Sequence, residues 1–227
     1  MADLLALSSR IIDAGVADEP VNRVTQQLSE LADDFSIVES FSHVVTLRTG
    51  EGLVVFDTSL RQTAPAVIAA LRKWSPAPFH SLVYTHGHMD HVGGAPLFVA
   101  EAAGRGHARP RVLGHENVAA RFARYRTTSG YNLAINARQF GDLRGAMAGV
   151  AIGGGEAFLP ADTPAPDASF GDRMRIDVGG VAIELRHAKG ETDDHLFAWI
   201  PERRILCAGD FFIWNFPNAG NPQKVQR

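Results

Sequence analysis

The stretch LVYTHGHMDHVGG, residues 82–94, follows an apolar run and packs His86, His88, Asp90 and His91 into six positions of a chain with only nine histidines. His86 and His88 are two apart, so a short turn can present both imidazoles to one point. Asp90 and His91 come a step later and can address a neighbouring point a few ångströms away. That spacing points to two metal ions side by side. Imidazole with carboxylate suits zinc, with iron or manganese as alternatives, and Gly93–Gly94 lets the loop bend tightly into the helix expected after it.

Working outward, FHSLVYT reads as a short buried strand ending where the cluster begins, and RQTAPAVIAALRKW before it as an amphipathic helix. Upstream, FSHVVTLRT and GLVVFDTS read as strands joined by the turn GEG. Residues 3–34 read as helical and polar-faced, giving a helical leader over 1–34 and a main domain over 35–227. Downstream, HENVAARFARYRTTSGYNLAINARQFG carries two helical segments broken near Ser129 and Gly130. A loose Gly-, Pro- and Ala-rich excursion follows from Gly145 to Ser169. DRMRIDV-GG-VAIELRHA and HLFAWI-PERR-ILCAGD then read as two hairpins. The strand–helix–strand order is that of an α/β protein with the cluster at a strand's carboxyl end.

The 227 residues, 45% of them hydrophobic, can bury one good core or two small ones. A formal net charge of −3, without a long basic or acidic block, argues against nucleic acid or an anionic membrane as partner and for a small molecule. MADLLALSSRIIDAG lacks a positive region followed by a sustained apolar core, and no later run is long enough to span a bilayer, so the expected location is the cytoplasm. The single cysteine, Cys207, lies in the strand-like RRILCAGD and reads as a buried, inert thiol.

THGHMDHVGG is similar to the H-x-H-x-D-H motif of the metallo-β-lactamase superfamily. Within it, the chain resembles the alkyl sulfatase group: a Glu stands in HAKGETDDH where most members have a His, and GHENVAARFARYRTTSGYNLAINARQFG resembles the group's segment after the metal loop. The resemblance covers residues 40 to 220 or so and implies an αββα sandwich with the metals at one edge of its two sheets. It also implies the ligand set: His86, His88 and Glu191 on one ion, Asp90 and His91 on the second, and Asp210, after RILCAG, bridging both. The family completes the second ion with a histidine on a later loop, and no such residue precedes Arg227. The expectation is a fragment lacking its last elements, without the group's carboxyl-terminal dimerisation and lipid-carrier-like domains, over the alternatives that a partner supplies the rest or that the second site is left with Asp90, His91, Asp210 and waters.

The activity this implies is hydrolysis of a small ester by a two-metal-activated water oriented by Asp90 and Asp210. Sulfate esters are preferred over β-lactams, thioesters, lactones or phosphodiesters, and a non-catalytic metal-binding scaffold is the alternative. For a sulfate, the planar guanidinium of Arg126 or Arg138 could hold two oxygens at once, although both fit a solvated helix face equally. Tyr131, Asn132 and Asn136, interleaved with Leu133, Ile135 and Phe140, fit a pocket wall for an alkyl chain or an amphipathic helix packed on the core. His195 is the substitute candidate for the missing ligand. His187, in the alternation Ile183, Leu185, His187, reads as packed behind the site. His43, His80 and His107 read as surface or capping histidines, and His115 as cleft-lining or part of a helix start.

Overall fold

The computed structural model describes residues 3–16, 23–139 and 157–211. Helix α1 (Leu4–Ala14) is followed by four antiparallel strands, β1 (Leu28–Ala32), β2 (Phe35–Val38), β3 (Val44–Thr49) and β4 (Gly52–Phe56). Next come α2 (Ala64–Trp74), β5 (Phe79–Val83), the single turn α3 (Met89–Val92), α4 (Ala95–Gly104) and β6 (Arg111–His115). Helices α5 (Asn117–Thr127) and α6 (Ser129–Gln139) lead to β7 (Ala168–Phe170), and β8 (Arg173–Val178), β9 (Val181–His187), β10 (Leu196–Ile200) and β11 (Ile205–Cys207) complete the strands. Strands β1 to β7 form one seven-stranded sheet in chain order, and β11-β10-β9-β8 form a second.

The expected αββα class holds in its helix layer and two facing sheets. Every residue of β4 is buried, as a strand covered on both faces must be, and it reads as a continuous apolar run for that reason. One face of the first sheet (Leu53, Val55, Leu82) packs under α2, α4 and α5 through Val67, Leu71, Phe98, Val118 and Phe122. The other face (Val54, Phe56, Val83, Leu113) meets Ile183, Leu185, Leu196, Ala198 and Ile200 of the second sheet. None of the described α-helices contributes to that second core. Phe98, fully buried and 4.8 Å from Phe79 between ring centroids, anchors the helix layer; truncation to Ala there costs about 3–5 kcal/mol.

Strands β4, β5, β6 and β7 run parallel, with α2, α4 and the α5–α6 pair as crossovers. Their carboxyl ends therefore share one edge, where open α/β sheets place their ligands. The second sheet delivers its β9–β10 loop to the same edge, held there by the Leu196 N–H donating to the Thr85 carbonyl at 2.7 Å. The expected β8–β9 hairpin turns at Gly179 and Gly180, both with positive φ (58° and 80°), which is the reason two glycines stand there.

The helical leader is corrected. Helix α1 ends at Ala14, and Leu28–Ala32 is an edge strand pairing antiparallel with β2. The acidic turn at Asp33–Asp34, with Asp34 at φ 63°, reverses the chain; an Asp tolerates that conformation by bonding locally. The expected loose excursion contains β7, and its residues 145–156, together with Phe140, lie outside the described residues. Strand β6 went unread because RVLGH is short and merges with the helix signal after it. Among the described residues no helix is long and apolar enough to cross a membrane.

Candidate metal centre

Strand β5 ends at Val83, and the chain turns through Thr85 to place His86 and His88 on a loop, then Asp90 and His91 on the single turn α3. His86 is fully buried and His91 nearly so. The ring centroid of His86 lies 4.5 Å from that of His88 and 4.1 Å from that of His91. Glu191, on the β9–β10 loop, brings Oε2 to 3.2 Å from His88 Nδ1 and 3.6 Å from His86 Nε2. Asp210, just after β11, brings Oδ2 to 3.4 Å from His91 Nε2. Asp90 Oδ2 is 3.5 Å from the same nitrogen.

Metal-ligating atoms thus converge in two groups, His86–His88–Glu191 and His86–His91–Asp210, each with its donor atoms within 4.8 Å of one another. His86 belongs to both. Its Nε2 is buried without a hydrogen-bond partner among the described residues, a costly arrangement for a polar atom unless something else satisfies it. Mixed imidazole and carboxylate donors around such an atom fit divalent metal ions.

At His86, Glu191 and Asp210 the electrostatics agree with that chemistry. Burial, reinforced by the neighbouring imidazoles, pushes His86 well below the usual histidine range and keeps it neutral, the form that binds metal. Burial raises the carboxyl of Glu191, but hydrogen bonding and attraction from His88 outweigh it and hold it at about 2. Asp210 is likewise held low against its burial, chiefly by His91. Burial disfavours a charged His91, yet Asp210, Asp57 and Asp90 together raise it well above its ordinary value.

Five of the six expected ligands fall in these two donor groups, and Asp90 lies beside them at His91 without joining either. Of the four residues expected to bind substrate, Arg126 is exposed on α5 with its guanidinium 5.9 Å from the Phe122 ring centroid. Tyr131 is exposed on α6. Asn136 is buried, its Nδ2 donating to the Asn132 carbonyl at 2.8 Å. Arg138 lies on α6, its side chain outside the described set. His195 is fully buried and stacks on His86 at 4.5 Å and on Phe211 at 4.2 Å, without joining either donor group. His187 does pack behind the site: Nδ1 bonds to the His195 carbonyl at 2.9 Å and its ring stacks on His115 at 3.9 Å.

Several residues of the site went unread in the sequence. Asp57, directly after β4, lies under His91 and binds Thr85 through both its N–H and its hydroxyl, each at 2.7 Å. Ser42 donates to Asp90 Oδ2 at 2.6 Å and lies 3.1 Å from His91 Nε2. Arg121 and Asp194 pair in the interior behind the loop. The usable signal for Asp57 was an acid closing the apolar strand next to the one that feeds the cluster.

A sequence profile of the Metallo-beta-lactamase superfamily matches residues 37–216. The chain belongs to that superfamily. A linear primary-alkylsulfatase of Pseudomonas sp. (strain ATCC 19151) is 26% identical over 171 residues, covering 70% of this chain and 31% of that protein. Among solved structures, this metallo-β-lactamase-fold chain is similar to a stereoselective inverting sec-alkylsulfatase from Pseudomonas sp., with a TM-score of 0.59 and 22% identity over 79% of this chain and 30% of the other. It is also similar to a metallo-β-lactamase of Cronobacter sakazakii, with a TM-score of 0.59 and 17% identity over 87% and 67% of the two chains. The chain therefore spans about a third of the length of the alkylsulfatases it matches.

Proposed function

We propose that this chain carries the metal centre of a binuclear hydrolase of small esters, with alkyl sulfate esters as its substrate class. The observation that carries the reading is the pair of donor groups meeting at His86, one of them completed by Glu191. The likeness to alkylsulfatases supports the choice of ester. His86, His88 and Glu191 would hold one ion, Asp90 and His91 the other, and Asp210 both. Zinc suits this donor set, and two bound ions supply positive charge for an ester oxyanion and acidify water at the site.

The chain's own residues do the positioning. Asp90 and Asp210 accept hydrogen bonds from water and aim it, while Asp57 holds the His91 ring from behind. Arg126, exposed on α5, and Arg138 are the guanidinium groups proposed to hold sulfate oxygens, with Tyr131 and Asn136 as the proposed polar contacts of the helical segment. The 35–227 unit of this reading takes in β1 as well, which pairs into the first sheet.

Turnover of a medium-chain alkyl sulfate by the zinc-loaded protein, set beside a penicillin and a cephalosporin, tests the substrate class. The sulfate is expected to be hydrolysed with the higher kcat/KM; equal or faster β-lactam hydrolysis overturns the assignment. Elemental analysis of the same preparation is expected to find close to two equivalents of metal.

A further inference from the structure

The three ligands of one proposed ion come from two separate loops: His86 and His88 flank Gly87 after β5, and Glu191 precedes Thr192 between β9 and β10. One carboxylate touches both loops beside those ligands. Asp194, fully buried, accepts the Gly87 N–H on Oδ2 at 2.9 Å and the Thr192 hydroxyl on Oδ1. Its Oδ1 also pairs with Arg121 Nε at 2.9 Å. Arg121 is itself only 4% exposed, on helix α5, and its second arm reaches Asp193 Oδ1 at 2.5 Å. The helix is fixed to the first core by Val118 and Phe122 on either side of the arginine.

The fit around this contact is tight. A Cβ on residue 87 would stand 2.8 Å from Asp194 Oδ2 and 2.9 Å from Arg121 Cδ. Only a glycine lets the backbone between the two histidines approach so closely. A buried ion pair contributes little net stability, because desolvating two charges offsets most of their attraction. Its position is what distinguishes this one: it grips the residue between two ligands and a direct neighbour of the third.

We propose that Arg121 and Asp194 are positioning residues that set the spacing of His86 and His88 against Glu191, and with it the tightness of that metal position. The proposal rests on the metal centre argued above. Ligands recruited from separate loops must be held to within a fraction of an ångström, and partners behind the ligands commonly govern affinity by 10- to 100-fold or so.

Cobalt(II) titration of the metal-free protein, followed by its visible absorption, tests this, with His88→Ala used to assign the step belonging to the His86–His88–Glu191 position. The variants are Asp194→Asn, which keeps an acceptor for Gly87 but loses the charge, and the double variant R121M/D194L, which removes both charges and keeps the interior filled. Thermal melts of the metal-free variants report folding separately. The double variant is expected to melt near the unsubstituted protein, yet to bind cobalt at the assigned position about 10- to 100-fold more weakly with an altered absorption band, and Asp194→Asn to fall between. Unchanged affinity and spectrum in both variants overturn the proposal and leave the pair a structural contact. Failure of the unsubstituted protein to bind cobalt overturns the metal centre itself, and the positioning role with it.

Discussion

Asp57 Oδ2 lies 2.7 Å from Nδ1 of His91, with both side chains buried. A proton on Nδ1 shared with that carboxylate leaves Nε2, the nitrogen facing Asp90 and Asp210, as the metal-binding atom. The carboxylate thus sets both the orientation and the basicity of the imidazole. Asp57→Ala is expected to weaken the ion held by His91 by about 10- to 100-fold, read by zinc titration against a chromophoric chelator. Affinity equal to that of the unsubstituted protein would show that Asp57 does not set the ring.

In the proposed centre His86 and His88 both hold the ion completed by Glu191, and a neutral imidazole nitrogen offers its one lone pair to one ion, although His86 lies within reach of both donor groups. His86→Ala and His88→Ala are therefore each expected to lose that one ion and to keep the metal held with His91. Elemental analysis of the two purified variants decides it, and loss of both ions from either variant would sink the assignment.

Gly94 opens α4, and a Cβ there would lie 2.1 Å from the Thr58 carbonyl oxygen. Backbone would have to move, so Gly94→Ala is expected to cost about 1–3 kcal/mol as an overpacked site. Gly104, at the other end of the same helix, meets nothing within 4 Å, and Gly104→Ala is expected to be neutral or stabilising by up to ~1 kcal/mol. Thermal melts of the two variants should move in different directions. A Gly94→Ala protein that melts with the parent contradicts the packing.

Burial alone would raise the Asp194 carboxyl, but Arg121, helped by Thr192 and Gly87, holds it below its ordinary value in the folded protein. A carboxyl depressed on folding contributes stability that is present above its unfolded pKa of about 3.9 and is lost as pH falls through the folded value. The stability difference between the metal-free protein and Asp194→Asn should therefore be constant near neutrality and shrink in acid. Urea unfolding across pH measures it, and a gap that widens in acid would reverse the sign of the linkage.

Cys207 is 6% exposed, and burial pushes its thiol well above the usual cysteine range. It packs into the second core. The folded protein is expected to react slowly with a disulfide reagent and the urea-unfolded chain quickly, because the thiolate is the reactive form. Rapid labelling of the folded state would place the thiol at an open surface.

The run from His86 to His91 was legible because donors within one loop are fixed relative to one another by local backbone geometry, so their spacing alone carries chemistry. Glu191 and Asp210 were legible only through the superfamily resemblance; each is a single acid beside a strand, and strands end in acids for many reasons. The helical reading of the leader failed at β1, where five residues took the conformation of their partner strand instead of their own preference.

By itself the sequence determined the α/β strand–helix–strand order, the strand end that carries the candidate centre and the run of four candidate donors from His86 to His91, while the two-sheet plan, Glu191 and Asp210 came through the superfamily resemblance. The tertiary structure alone decided that His86 lies within reach of both donor groups, that Asp57 stands behind His91, and that Arg121 and Asp194 bind the two ligand loops together. Asp57 meets His91 across 34 positions of chain because β4 lies parallel to β5 with Phe56 opposite Val83. Asp194 meets Gly87 across 107 positions because the second sheet packs against the first at that edge. Such contacts are created by strand register and the packing of layers, whereas local spacing encodes only what lies within a turn or two of the same chain segment.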